Sequence, residues 1–326
     1  MSTVDTNAAA IDTVTEGFDK VHNNISDSNN DDTSEVIRET CANCGKEGNS
    51  DDMNTCNKCK SVKYCNAACK KKHRKKHKKA CERRVAELHD IELFKEVEPE
   101  ECPICFLPLS FDSSQVSFQI CCGKSICNGC IYAMIESEGK DLCAFCRTPP
   151  TQSNGDRLRR IKKLMDNGNG AAFNMLGYSY ANGINSLPQD WNKATELYFK
   201  GGKLGCAEAY YNLGCSYDNG HGVEVDKKKA QYYYELAAMK GDVHARYNLG
   251  IIVEDAGNED RAYKHFAIAA RAGSERSLDA VKDGFMDGFI TKDEYTNTLR
   301  AYQESQDEMK SEERDKAAAS GMFSMG

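Results

Sequence analysis

The chain has 326 residues, of which 40% are hydrophobic, and a formal net charge of −7. That length suits two or three domains, but the composition does not suggest one large apolar core. No charged-then-apolar leader and no run of apolar residues long enough to span a bilayer is readable, so the protein is expected to be intracellular, cytoplasmic or nuclear, with no membrane partner.

Residues 1–38 are rich in Ser, Thr, Asn and Asp with few aromatics, and a disordered tail is expected there, because such a segment buries too little apolar surface to offset its ordering entropy. Fifteen of the seventeen cysteines then fall within residues 41–146, mostly in Cys-x-x-Cys pairs. Without an export signal this distribution favours metal over disulfides: a reducing compartment keeps thiols free, and a nearby pair can share one ion.

The first cluster lies in residues 39–81 and runs Cys41, Cys44, Cys56, Cys59, Cys65, Cys69, His77, Cys81. Seven thiols and one imidazole fill two tetrahedral sites, and zinc prefers both donor types. Cys65/Cys69 and His77/Cys81 are each spaced i, i+4, so each pair is expected to face one way from a helix and meet a Cys-x-x-Cys pair. Spacing alone permits a sequential or an interleaved arrangement. His73 is read as an exposed residue, since the eight ligands already fill both sites.

The whole string, with Tyr64-Cys65, resembles the MYND zinc finger, a protein-interaction module some members of which grip short proline-containing peptides. The resemblance implies interleaving, with Cys41, Cys44, Cys65 and Cys69 on one ion and Cys56, Cys59, His77 and Cys81 on the other. Lys70 stands where a glutamine commonly follows the sixth ligand, and Arg74 where a tryptophan commonly precedes the histidine; these departures touch the peptide-binding pattern and leave the ligands intact. Residues 70–79 hold eight Lys or Arg. In an acidic chain without interleaved stacking aromatics they read as a solvated helix face, and nucleic acid is not expected as a partner. Residues 82–98 read as a short helix and linker ending before Pro99.

The second cluster, in residues 99–150, offers another eight thiols: Cys102, Cys105, Cys121, Cys122, Cys127, Cys130, Cys143 and Cys146. Adjacent side chains tend to diverge, so Cys122 is the firmer ligand and Cys121 the less certain one. The stretches CPICFLPL, CCGKSICNGC and CAFCR resemble a RING finger, particularly the all-cysteine kind of the ubiquitin ligase in the deadenylase complex. Lys124 stands where a common RING has histidine. The resemblance implies a cross-brace, with Cys102, Cys105, Cys127 and Cys130 on one ion and Cys121, Cys122, Cys143 and Cys146 on the other, for four zinc ions in all.

Neither module leaves the vacant coordination position a hydrolytic zinc needs, so no catalytic residue is assigned. A RING instead holds a ubiquitin-charged conjugating enzyme in a reactive geometry, an orientation effect. The resemblance makes Ile104 the apolar contact to that enzyme and Arg147 the residue bridging it to ubiquitin. Ala144 replaces the frequent proline between the final ligands, and the only tryptophan, Trp191, lies outside the module.

Over residues 157–303 metal-ligand spacing vanishes and a repeat appears: Leu176-Gly177, Leu213-Gly214 and Leu249-Gly250 recur at intervals of 37 and 36 residues. Lys193-Ala194, Lys229-Ala230 and Arg261-Ala262 follow in register, with small residues closing at Gly205, Gly241 and Gly273. This is the period of a two-helix solenoid. A fourth, degraded copy places Val281 at the leucine position and opens its second helix with a Thr291-x-x-Glu294 capping box. The stretch YYNLGCSYDNGHGVEVDKKKAQYYYELAAMKG resembles the Sel-one-like repeat, a relative of the tetratricopeptide family, which implies an interaction scaffold with a curved surface. Tyr178, Tyr180, Tyr217, Tyr232, Tyr233, Tyr234 and Tyr247 read as inter-helix packing. Cys206 and Cys215 read as buried small residues within the repeat helices, and residues 304–326 as a charged tail.

The expected fold is thus small zinc-stabilised modules of MYND and RING cross-brace type followed by an all-α two-helix-repeat solenoid. The expected function is a zinc-binding interaction protein: a RING-type ubiquitin ligase or ligase adaptor, without a catalytic nucleophile, that recruits a ubiquitin-conjugating enzyme and selects an unknown substrate through its repeats. The alternative is a non-enzymatic zinc-finger scaffold linking protein partners.

Overall fold

The computed structural model describes residues 38–138 and 141–323. The expectation of a tail over 1–38 falls outside the described residues except for Arg38, which already belongs to a strand. The chain divides into two compact units, one up to Glu92 and one from Leu93.

In the first unit, β1 (Arg38–Thr40) pairs antiparallel with β2 (Glu47–Asn49), and β3 (Asn54–Thr55) with β4 (Lys63–Tyr64). Helix α1 (Ala67–Leu93) follows. Its apolar content is small: the buried cluster is Met53 and Tyr64 among Cys41, Cys56, Cys59 and Cys81. Residues 82–98 are not a separate short helix: α1 runs unbroken from the first cysteine cluster to Leu93, six residues short of Pro99. Nothing in that stretch breaks a helix, since AELHDIEL contains neither glycine nor proline.

In the second unit, β5 (Val116–Gln119) and β6 (Lys124–Cys127) form a hairpin that leads into α2 (Asn128–Glu138). Asn128 is buried at the junction, accepting from the Ser117 hydroxyl at 2.8 Å and donating to the Ser114 carbonyl at 2.7 Å.

The solenoid begins with α3 (Asn154–Asp166) and continues as helix pairs: α4 (Gly170–Asn182) with α5 (Trp191–Lys203), α6 (Ala207–Asn219) with α7 (Lys227–Ala238), and α8 (Val243–Asp255) with α9 (Glu259–Arg271). The repeated Leu-Gly has a steric cause. A Cβ on Gly177, Gly214 or Gly250 would lie 2.7, 2.6 or 2.3 Å from ring atoms of Tyr198, Tyr234 or Phe266, each on the second helix of the same pair. Glycine therefore lets the two helices of each hairpin close on an aromatic ring, while the neighbouring leucine fills the core.

Side-chain caps fix the starts: Asn169, Asp190, Asp226, Asp242 and Asn258 each accept a hydrogen bond from the third helical N–H. The degraded fourth pair is α10 (Glu275–Met286) and α11 (Lys292–Glu308); the latter opens on Thr291 and Glu294, which bond each other's backbone reciprocally. Of the seven tyrosines expected to pack between helices, Tyr233 and Tyr234 are buried and Tyr180, Tyr217, Tyr232 and Tyr247 half-buried, whereas Tyr178 is exposed and does not pack as expected. Cys206 is the residue before α6 and Cys215 lies within it, both half-buried. The described part of the expected tail over 304–326 is not free: α11 extends to Glu308 and a last helix, α12 (Glu312–Ala319), follows, with Ala317 buried.

The segment after Leu93 is strapped to the repeats. Leu93 is buried among Ala230, Tyr234, Ala237, Ala238, Ala245 and Leu249. Arg246, 2% exposed, donates to the carbonyls of Leu93, Lys95 (2.9 Å) and Ala238 (3.1 Å). Phe94 lies 4.7 Å from the His265 ring with the Arg261 guanidinium over it, and Glu96 pairs with Arg271. Replacing Arg246 by Met leaves buried carbonyls without a donor, so Arg246→Met is expected to lower the unfolding free energy of the solenoid by about 3 kcal/mol in a urea titration. A change below about 0.5 kcal/mol would mean that these bonds do not hold the strap.

Candidate metal centres

Four Cys-x-x-Cys turns share one backbone geometry. In each, the residue after the second cysteine is left-handed: Gly45 (φ 71), Lys60 (φ 54), Phe106 (φ 59) and Arg147 (φ 63). Its N–H donates to the carbonyl of the first cysteine, at 2.9 Å from Gly45 to Cys41, 3.0 Å from Lys60 to Cys56, 2.9 Å from Phe106 to Cys102 and 2.9 Å from Arg147 to Cys143. The first cysteine's N–H in turn bonds the chain two or three residues past the second, reaching Lys46, Val62, Leu107 and Thr148. The double closure folds the turn tightly enough for both sulfurs to point one way. Three of the four left-handed residues carry a side chain, at a cost of about 1–2 kcal/mol each. Such conformations persist where the surroundings over-determine them.

These turns bring the predicted donors together in four groups. Cys41, Cys44, Cys65 and Cys69 form one, and Cys56, Cys59, His77 and Cys81 another; Cys102, Cys105, Cys127 and Cys130 form a third, and Cys121, Cys122, Cys143 and Cys146 a fourth. Within each group all ligand atoms lie within 4.8 Å of one another. Both modules are therefore interleaved in the geometry, with each group drawing on sequence segments that flank part of the other.

The donor spacing fits zinc. Tetrahedral thiolates at a Zn–S distance of about 2.3 Å are separated by about 3.8 Å. The sulfurs lie 3.7 Å apart in Cys44–Cys65, 3.6 Å in Cys65–Cys69, 3.8 Å in Cys56–Cys81, Cys102–Cys130 and Cys105–Cys127, and 3.9 Å in Cys122–Cys143. Disulfide sulfurs are about 2.05 Å apart, and all the cysteines are free. Local dipoles favour ionisation of some thiols. The backbone N–H of Cys65 leads in lowering Cys41 to about 6, whereas a hydrogen bond with Cys69 leads in raising Cys65 to about 12. At Cys146, burial opposes the charge, but the hydroxyl and N–H of Thr148 bring the thiol down to about 6.

Individual donors arrive by different routes. Cys65 precedes α1, so Cys65 and Cys69 are not two positions on one helix; Cys69 is in the first turn, its N–H bonded to the Asn66 side chain at 2.9 Å. His77 and Cys81 do share the helix, and His77 Nε2 approaches Cys59 Sγ to 3.2 Å. His73 is not exposed. It is half-buried, stacks on His77 with ring centroids 5.7 Å apart and meets the Tyr64 hydroxyl at 3.2 Å through Nδ1, so it props the His77 ring.

Cys121 and Cys122 both enter the fourth group, with Cys121 Sγ 3.3 Å from Cys146 Sγ. Divergence of adjacent side chains is a property of extended strands. These two sit in the tight turn between β5 and β6, where the N–H groups of Cys122 and Gly123 both reach the Gln119 carbonyl. Ile104 rides on the first turn of this module, 37% exposed, and Arg147 closes the last one. Phe106 and Phe145 are also exposed on these two turns.

The family profile described as the MYND finger matches residues 41–81, and that of the Sel1 repeat matches residues 171–206, 207–242 and 243–274. The first is a zinc-binding module and the second a protein-interaction module, so the chain contains a MYND-type zinc finger and three Sel1 repeats, and its four donor groups can hold four zinc ions. A protein of Arabidopsis thaliana described as ERAD-associated E3 ubiquitin-protein ligase component HRD3B is 32% identical over 116 residues. The match covers 31% of this chain and 18% of that protein. Among solved structures, a Sel1 repeat protein from Oxalobacter formigenes aligns at 21% identity and a TM-score of 0.41, covering 55% of this chain and 72% of that one. An antigen of uropathogenic Escherichia coli with an SLR fold, c5321, aligns at 18% identity and a TM-score of 0.41, covering 60% and 45%. No described helix is long and apolar enough to cross a membrane.

Two outcomes follow from the donor geometry. Stripping zinc with a chelator at neutral pH is expected to abolish hydrogen-exchange protection between residues 41 and 146 and to leave the helices of the repeats protected, because structural zinc contributes about 10–16 kcal/mol to such modules; protection that survives in both modules would contradict the assignment. Cys121→Ser is expected to release one ion from the protein while the other three stay bound, measured by metal content after dialysis; full retention would remove Cys121 from the ligand set.

Proposed function

We propose that the second cysteine module is a RING-type cross-brace and that the protein acts as a ubiquitin ligase or ligase adaptor. In this reading the four donor groups are the ligand sets of four zinc ions. The module receives a ubiquitin-charged conjugating enzyme on Ile104, Arg147 bridges that enzyme to ubiquitin, and the Sel1 repeats select the substrate. Zinc is structural throughout; every coordination position is taken by the protein, so the ions shape a binding surface and activate no water.

The observation that carries the reading is the interleaving of Cys102, Cys105, Cys127 and Cys130 with Cys121, Cys122, Cys143 and Cys146 around a hairpin and one helix. It leaves isoleucine and phenylalanine exposed at the tips of two rigid turns, where apolar side chains call for a partner. A relative whose name makes it a component of a ubiquitin ligase agrees with this. A non-enzymatic scaffold is the second reading. It draws on Trp191, which stacks on His221 at 4.3 Å among the repeats and so supplies no aromatic to the cysteine module.

Purified full-length protein incubated with activating enzyme, ubiquitin and a panel of conjugating enzymes is expected to form ubiquitin conjugates with at least one of them. Ile104→Ala and Arg147→Ala are expected to lower the rate about tenfold or more, a loss of about 1.4 kcal/mol of transition-state stabilisation. No transfer with any conjugating enzyme would overturn the ligase reading in favour of the scaffold.

A further inference from the structure

The last described helix, α12, belongs to the second cysteine module although some 170 residues of sequence separate it from Cys143 and Cys146. Arg314 makes the connection. Its Nη1 donates to the Pro108 carbonyl at 2.8 Å and to the Met309 carbonyl at 2.9 Å, and its Nη2 reaches the Leu107 carbonyl at 3.4 Å and Cys105 Sγ at 3.7 Å. Leu107 is the residue whose carbonyl closes the first turn of the module by accepting from Cys102 N–H. The guanidinium thus grips the loop that shapes one ligand pair and touches one of the ligand sulfurs.

The fit is mutual. Gly129, between Cys127 and Cys130 on α2, faces the backbone of α12: a Cβ there would lie 2.7 Å from the Arg314 nitrogen and 2.9 Å from its Cα. Glycine is the poorest ordinary helix former, so its place inside α2 is explained by the helix packed against it. Phe323, beyond α12, packs on the module's buried cluster of Cys102, Ile126, Cys127, Ile131 and Cys143.

Charge gives the contact a purpose. A divalent ion in four thiolates carries a net charge of about −2, and residues 99–150 add six carboxylates against three Lys or Arg. The module's own three cations do not balance that charge. Arg suits the position better than Lys because its planar fork can hold three carbonyls and a sulfur at once.

We propose that α12 completes the second cysteine module and that Arg314 is a positioning residue for the Cys102, Cys105, Cys127 and Cys130 group, slowing the loss of its zinc ion by neutralising the thiolates and fixing the first turn. This rests on the reading that the group holds zinc. Partners of metal ligands typically change metal affinity by about 10–100-fold.

The test uses the full chain loaded with zinc, its metal content measured first, then transfer of zinc to a chromogenic chelator timed for the parent and for Gly129→Ala, Arg314→Gln and Arg314→Lys, with hydrogen exchange followed over residues 312–319. One ion of the four is expected to leave about tenfold faster in Gly129→Ala and in Arg314→Gln, and Arg314→Lys is expected to recover part of the difference through its charge. Release indistinguishable from the parent in Gly129→Ala or Arg314→Gln, whether or not α12 loses protection, would overturn the proposal. Arg314→Lys no better than Arg314→Gln would overturn the role of charge. A parent already short of the ions of this module before chelator is added would refute the zinc reading itself, and is told apart by that first measurement.

Discussion

Convergence of sulfur, with one imidazole nitrogen, is the constraint on which the amino-terminal half of the described structure depends. Between residues 41 and 146 the buried clusters consist mostly of cysteines, with Met53 and Tyr64 in one module and Ile126 and Ile131 in the other. Apolar burial on that scale does not order segments of this length; small domains commonly need a metal or disulfides to do so. Fifteen thiols held a few ångströms apart without bonding to one another are also an unfavourable arrangement for thiolates, since like charges repel. A divalent ion in each group removes both difficulties at once.

The repeats follow a different logic. Each of the three Leu-Gly helix pairs closes because a glycine admits an aromatic ring, and stacked pairs bury their faces on one another. The same solenoid gives Leu93 and Phe94 a place among its helices, held by Arg246, and receives the segment that leads into the second module. The second unit thus carries both the exposed apolar residues on the turns of its cysteine module, Ile104, Phe106 and Phe145, and the Sel1 repeats, a type of module that serves protein interaction.

Much of this was legible in the residues. The 37- and 36-residue intervals between Leu-Gly pairs and the Thr291-x-x-Glu294 capping box state their structure directly, because helix pairing and capping are set by residues close in sequence. The ligand positions were legible as types and spacings. What could not be read were features fixed by distant parts of the chain. Lys60, Phe106 and Arg147 adopt left-handed conformations that nothing in their identity announces; only Gly45 signals its turn. His73 reads as surplus until Tyr64 and His77 flank it. The divergence of adjacent side chains makes Cys121 the less certain ligand only if the chain is extended there, and it makes a turn instead. Residues 304–326 look like a charged tail because the partner that orders α12 lies some two hundred residues earlier.

Metal stoichiometry tests the central claim most directly. Native mass spectrometry of the intact chain, purified without chelator, is predicted to show a mass increase of four zinc ions that disappears on acidification, after which all seventeen thiols react with an alkylating reagent. Two or fewer ions, or cysteines of residues 41–146 found oxidised in pairs, would contradict it.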